Sequence, residues 1–580
     1  MASESFADLE NRNNPSYSNG AIIAPKYPSP WILILAIPVL LTCLSISIQN
    51  WGQVFDDSYI SYRYAQNLAM GYGITWNPGY PPTEGYTNFL LVVILAPAIL
   101  AGLDPLLVTR ILSFICATAM SGLLFALARR HYDCSATTAA MIASLIFIVP
   151  ATIVLSLIGL ETVVYAFFLL IAFIAGVTFI QRQEQRLSIQ FSCLLFLTML
   201  LRPEAALLYP VILIASVTAA IRHKYSLRPV IVGFVTLSVL CSVYLAWKYL
   251  HFGQLLPNPY YLKAAGRTLF NQSGLRTIKS FLIDYDLLLM LAIASLVLII
   301  IADPPVPRWN KIAALLGTIF VVVYCFFFSH VDTLMNIYGR FLYPLVPIII
   351  LLANPILAKV LGRIEHVDFY KLPVLPAIII VFLLLFGSTH ITNLDSRIKH
   401  LSRRDHPQAG EFLMQKEYRL AKALASFPNI KEVRIAFADS GVIPYFSGAI
   451  WLDVTGLNDG FLARSHVKEK QINYFFDWSA DLVIHPGRAG LSWLQNGHGP
   501  LGDYMSWSDD PRWDKYAYVG TSNIKDTDYD MQFFVRKSSP FRGALEGYLK
   551  SNIVDGWYDP FPLPIGTYYP KDTQPTWRPR

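Results

Sequence analysis

Charge is scarce in this 580-residue chain, and cysteine is scarcer. Asp, Glu, Lys and Arg supply 15% of the residues against 54% hydrophobic, with a mean hydropathy of +0.44, which excludes a soluble globular protein and marks a membrane protein. The six cysteines, Cys43, Cys116, Cys134, Cys193, Cys241 and Cys325, sit in or beside apolar runs. None lies beyond residue 325, which excludes a disulfide scaffold and a CxxC metal site. No Walker or GxGxxG motif points to a nucleotide. The excess of 46 Lys+Arg over 39 Asp+Glu is too small to argue for nucleic acid, because basic cytoplasmic loops account for it.

Long apolar runs are what the sequence has. After a polar cytoplasmic tail, 1–30, the run from Trp31 to Ile48 has no basic n-region and no small-residue cleavage site, and reads as an uncleaved signal anchor. Ten more runs long enough to cross about 30 Å of hydrocarbon lie near 107–128, 138–157, 161–180, 188–203, 205–221, 229–250, 283–302, 312–329, 341–358 and 372–388. The apolar run 89–103 is shorter, about 22 Å as a helix, and reads as a juxtamembrane helix. With eleven spans over 31–388 and the N-terminus inside, the inner loops carry Arg129, Arg130, Arg182, Arg222, Lys224, Arg308, Lys311 and Lys359, as the positive-inside tendency requires. The polar region 389–580 then falls outside. A helix over 410–427 and strands over 433–438, 450–454, 482–485 and 531–535 predict an extracytoplasmic α/β domain, ending in a Pro- and aromatic-rich tail.

Chemistry gathers on the outer side. The first outer loop sets Asp56 and Asp57 beside the membrane face, and adjacent residues of a helix point about 100° apart, so the two carboxylates have separate tasks. An Asp capping the helix that follows would explain only one of them. Glu84 precedes the juxtamembrane helix and either reaches the same site or caps that helix. Glu161 and Arg202 lie where spans meet the outer face, and Arg202 and Glu204 can satisfy one another across Pro203. The loop HFGQLLPNPYYLKAAGR supplies Asn258, Tyr261 and Lys263, and SHVDTLMNIYGRFLYP supplies His330 and Arg340. Cations beside a carboxylate pair suit a phosphate whose tail stays in the bilayer, with a water-soluble partner arriving from outside. For glycosyl transfer, a carboxylate would deprotonate the acceptor hydroxyl, and Lys or Arg would stabilise the charge that develops on the leaving phosphate.

The ordered set FDDSYISYRYAQNLAMGYGITWNPG, IGLET, LRPEA, FGQLLPNPYYLKAAG, IYGRFLYPL and DVTGLNDGFLARSH resembles the multi-spanning GT-C glycosyltransferases that use polyprenyl-phosphate sugars, especially the mycobacterial terminal β-(1→2)-arabinofuranosyltransferase family. The resemblance implies a mainly α, GT-C-like bundle in the bacterial plasma membrane. It also implies an inverting transferase acting on a cell-envelope polysaccharide or glycolipid, with Asp56 or Asp57 as base, and Lys263 and Arg340 by the donor phosphate. Where many relatives carry Gly-Gly-Asp before the last-loop Arg, this chain has HVDTLMNIYGR, so the donor sugar, arabinofuranose on first reading, stays open.

In the outer region, Asp439, Tyr445, Asp453 and Asn458 lie near strand ends and are either acceptor contacts or caps and turn formers. A divalent cation, Mg²⁺ or Ca²⁺, on the acidic pair is left open. The competing class is a transporter or flippase of a lipid-linked glycan, which predicts midplane charges and internal repeats. The sequence shows neither.

Overall fold

A computed structural model describes residues 44, 46–48, 52, 54–132, 134–264, 271–301, 307–333, 336–365, 417–438, 440–465, 467–486, 510–523 and 530–554. The expected spans 31–48, apart from a few helical residues near its end, and 372–388 lie outside them.

Among the described residues, six helical stretches are long and apolar enough to cross a membrane: Pro105–His131, Thr162–Arg182, Pro203–His223, Arg228–Phe252, Arg308–His330 and Ile337–Leu361. Two further expected spans are bent, which raises the number to at most eight. Residues 138–157 form Ala136–Ile148 and Pro150–Leu157, 52° apart, because Pro150 has no N–H to continue the ladder and its fixed φ instead starts a new helix. The run 283–302 begins in an amphipathic helix, Gln272–Asp284, and turns by 76° into Asp286–Ile301. The run 188–203 is a 17-residue helix, Gln185–Leu201, ended by Pro203. Phe89–Leu100 has only 12 residues, too few to span alone, and it buries Leu91, Val92, Leu95 and Ala96 along one stripe.

The C-terminal region holds a five-stranded mixed sheet of β1 Arg434–Phe437, β2 Ile450–Asp453, β3 Leu482–Pro486, β4 Tyr516–Asn523 and β5 Asp530–Arg536, in the order β2-β1-β3-β5-β4. The first three strands are mutually parallel, and β5 runs antiparallel to both β3 and β4. β1 is flanked on both sides and is almost continuously apolar (Ile435, Ala436, Phe437), as a strand covered on both faces must be. Sequence reasoning overlooked β4, whose alternation is interrupted by a bulge between Tyr518 and Gly520. Of the expected helix 410–427, residues 417–425 are helical and 410–416 lie outside the described residues.

The edge strand β2 is not left open. The Asn77 side-chain amide acts as a substitute strand, its Nδ2 donating to Trp451 O at 2.7 Å and its Oδ1 accepting from Trp451 N at 3.0 Å. Arg63, fully enclosed, donates to Asn77 Oδ1 and to the carbonyls of Trp76, Pro444 and Ala449. Thr83 Oγ1 and Tyr64 OH donate to Asn458. The segment 54–88 is thereby welded to the sheet, and the helix bearing Asp56 and Asp57 touches both the spans and the C-terminal region.

Candidate active site

The helix Asp56–Ala69 starts at a pinned point. Phe55 N donates to Ile158 O at 3.1 Å, and Tyr62 OH donates to Gly159 O at 2.8 Å, where Gly159 adopts a φ of +86° that a side chain would resist. The N-cap residue is Phe55, and no side chain caps the helix. Capping therefore explains neither carboxylate. Asp56 Oδ1 accepts from Val442 N of the C-terminal region at 2.7 Å, whereas Asp57 Oδ2 pairs with Arg340 Nη2 at 2.9 Å. The divergence expected of neighbouring helical residues sends one carboxylate to each partner.

Arg340 reaches Asp57 through an unusual turn. Tyr338 and Gly339 both have positive φ, +53° and +69°, and the Tyr338 backbone is strained for a bulky residue. The guanidinium is buried over the rings of Phe55, at 4.7 Å, and Phe341, at 5.0 Å. Its Nε–H has no acceptor among the described residues. Arg202 also stands over Phe341, at 5.3 Å, and is held by Glu161 at 2.7 Å and Glu204 at 2.8 Å. Asn88 Nδ2 donates to Glu161 Oε2, and Ser61 Oγ to Asn88 Oδ1, both at 2.9 Å. A buried polar chain thus runs from the acidic helix to the ends of two spans and, through Phe341, to Arg340. Arg202 pairs with one oxygen of Glu204, whose Oε2 has no partner among the described residues, and with Glu161 as well.

Glu84 is a correction. It neither joins the acidic pair nor caps Phe89–Leu100, whose N-cap is Asn88; its carboxylate forms an enclosed ion pair with Lys248 at 2.8 Å. Burial pushes the Glu84 carboxyl up to about 7 even with the ammonium beside it. Lys248 escaped sequence reasoning, although a lysine in the last turns of an apolar helix, LAWKYLHF, is the signal that intramembrane charge has a partner. Asn258 packs on the same cluster, its N–H donating to Glu84 O and its Oδ1 accepting from Gln254.

Of the two readings for the residues near the strand ends, turn formation is what Asp453 and Asn458 do. Asp453 is buried and closes its own turn, taking hydrogen bonds from Thr455 and Asn458 at both carboxylate oxygens. Asn458 is committed to that turn and to Tyr64. Tyr445 packs against Tyr59, at 5.3 Å, and Tyr62. Asp453 and Asn458 build the turn, and Tyr445 packs in the seam with the helix Asp56–Ala69. Asp439 lies outside the described residues. Of the loop residues, His330 engages its own helix end through Phe326 O and Ser329, Tyr261 is half-buried edge-on to Tyr260, and Lys263 lies on the helix Asn258–Ala264 with its side chain outside the described residues. Among the described residues, no three His, Cys, Asp or Glu side chains converge to hold a metal ion.

No family model matches the chain, and no curated protein matches it. Among solved structures, ArnT from Cupriavidus metallidurans, crystallised in the apo state, superposes with a TM-score of 0.51 over 87% of this chain and 98% of its own, at 11% identity. The chain has the fold of ArnT. It is a multi-pass membrane protein of that architecture, and at such low identity the likeness carries the fold alone.

Proposed function

We propose that this protein is an inverting glycosyltransferase of the outer membrane face, moving a sugar from a polyprenyl-phosphate donor to a cell-envelope glycan. The observation that carries the reading is the divergent acidic pair on a GT-C fold: Asp57 holds a buried Arg340 that retains an unused N–H, while Asp56 stands beside the outer region. Asp56 acts as base. It takes the proton of the acceptor hydroxyl as that oxygen attacks the anomeric carbon, and the bond to the phosphate oxygen breaks with its electron pair passing to the phosphate. Arg340, held by Asp57, stabilises that oxygen, joined by Lys263 from the helix Asn258–Ala264. Asp57 is engaged in holding Arg340.

Arabinofuranose is the first donor to test, on the resemblance of the outer-loop motifs. The test is single-turnover transfer by purified protein in lipid nanodiscs, using short-chain polyprenyl-phosphate pentoses and hexoses with envelope glycan fragments, and comparing wild type with Asp56→Asn and Asp57→Asn. Transfer from one donor, lost in Asp56→Asn, is the expected result. Tight donor binding by all three proteins without transfer or hydrolysis would replace this reading with a carrier of lipid-linked glycans.

A further inference from the structure

The outer region contributes the seat of the proposed base. We infer that the Gly441–Val442 peptide of the outer region is a positioning element for Asp56, so that the acidic helix is complete only with the sheet docked upon it. The inference rests on the base role proposed for Asp56.

Three independent contacts converge on this point. Val442 N–H donates to Asp56 Oδ1 at 2.7 Å, from the first residue of the helix Val442–Ser447. Gly441 lies so close that a methyl group on its Cα would collide with the Asp56 carboxylate and with the Asp56 backbone carbonyl, so glycine is required here by contact, not by φ. The remainder of that short helix lies along Asp56–Ala69. Tyr445 and Phe446 pack on Tyr59 at 5.3 and 5.4 Å, and Arg63 grips the carbonyl of Pro444 and, beyond the helix, that of Ala449. Every contact is long-range: Asp56 and Val442 are 386 residues apart in sequence. A hydrogen bond from a fixed backbone N–H immobilises one oxygen of the carboxylate. This is the restraint a general base needs to meet a hydroxyl at hydrogen-bond distance.

The experiment compares wild type, Gly441→Ala and Val442→Pro as full-length proteins in nanodiscs. Gly441→Ala pushes the carboxylate off its seat. Val442→Pro removes the donor at a first-helical position where proline is accepted. Both are expected to lower kcat on the order of 100-fold, the usual cost of a misplaced catalytic group, with donor KM unchanged. Both are also expected to speed hydrogen–deuterium exchange in peptides spanning residues 55–60, an effect read without any activity. Wild-type exchange and wild-type kcat in both variants would overturn the inference. A wild-type protein with no transfer at all would instead sink the glycosyltransferase reading, and the exchange comparison would still decide whether the outer region seats Asp56.

Discussion

Replacing Lys248 by methionine isolates one buried charge and makes its cost a function of pH. The Lys248 ammonium and Glu84 carboxylate are 2.8 Å apart with side chains 6% and 3% exposed, so removing the cation leaves an ionised carboxylate with little water. Breaking a buried pair in this way costs about 3–5 kcal/mol while the survivor stays charged. Glu84 need not stay charged, because burial already raises its carboxyl to about 7, and loss of the Lys248 attraction raises it further. A carboxyl whose folded pKa lies above its unfolded value contributes stability that is complete below the unfolded pKa and disappears as pH rises through the folded one. At pH 5.5 the variant therefore carries a protonated Glu84 and loses only about 1–3 kcal/mol, the penalty of one unmade buried hydrogen bond. At pH 8.5 it approaches the full charge penalty. Thermal unfolding in nanodiscs at the two pH values measures the difference, and Glu84→Gln/Lys248→Met should recover most of the loss at pH 8.5. A Lys248→Met defect of equal size at both pH values, or a double variant no more stable than Lys248→Met, would refute the reasoning.

Three further outcomes are expected. Asp56→Asn should lower single-turnover transfer by about 10²–10⁴-fold with donor binding retained, measured by quench-flow and by equilibrium binding of the lipid donor. Arg340→Lys keeps the charge but loses the planar fork that meets Asp57 and stacks between Phe55 and Phe341, and donor affinity should fall about tenfold or more in the same binding assay. Arg63→Met strips partners from buried acceptors of Trp76, Asn77, Pro444 and Ala449, and should destabilise the seam by at least about 3 kcal/mol, seen as faster limited proteolysis between the spans and the sheet.

Much of this architecture is local, and local features are legible in a sequence. Composition alone requires a membrane protein, since 54% hydrophobic residues with 15% charged cannot be covered by a water-facing surface. Short apolar runs bounded by turn residues located four of the five strands, and adjacency alone required Asp56 and Asp57 to diverge. The bends at Val149 and Tyr285 were less legible, because an apolar run reports what can enter lipid and not whether its helix is straight. Partners were least legible of all. Asp57 meets Arg340 across 283 residues and Arg63 meets Pro444 across 381, and nothing in periodicity says which distant element a face will touch. Glu84 read as a cap or a site residue until the span Arg228–Phe252 put Lys248 beside it, and Asp453 read equally as an acceptor contact or a turn former until its turn closed on it. The sequence by itself determined the solvent each segment prefers and the chemical groups on offer. Only the tertiary structure decided which groups are neutralised by one another, because desolvation makes a buried charge depend on the neighbour that packing supplies.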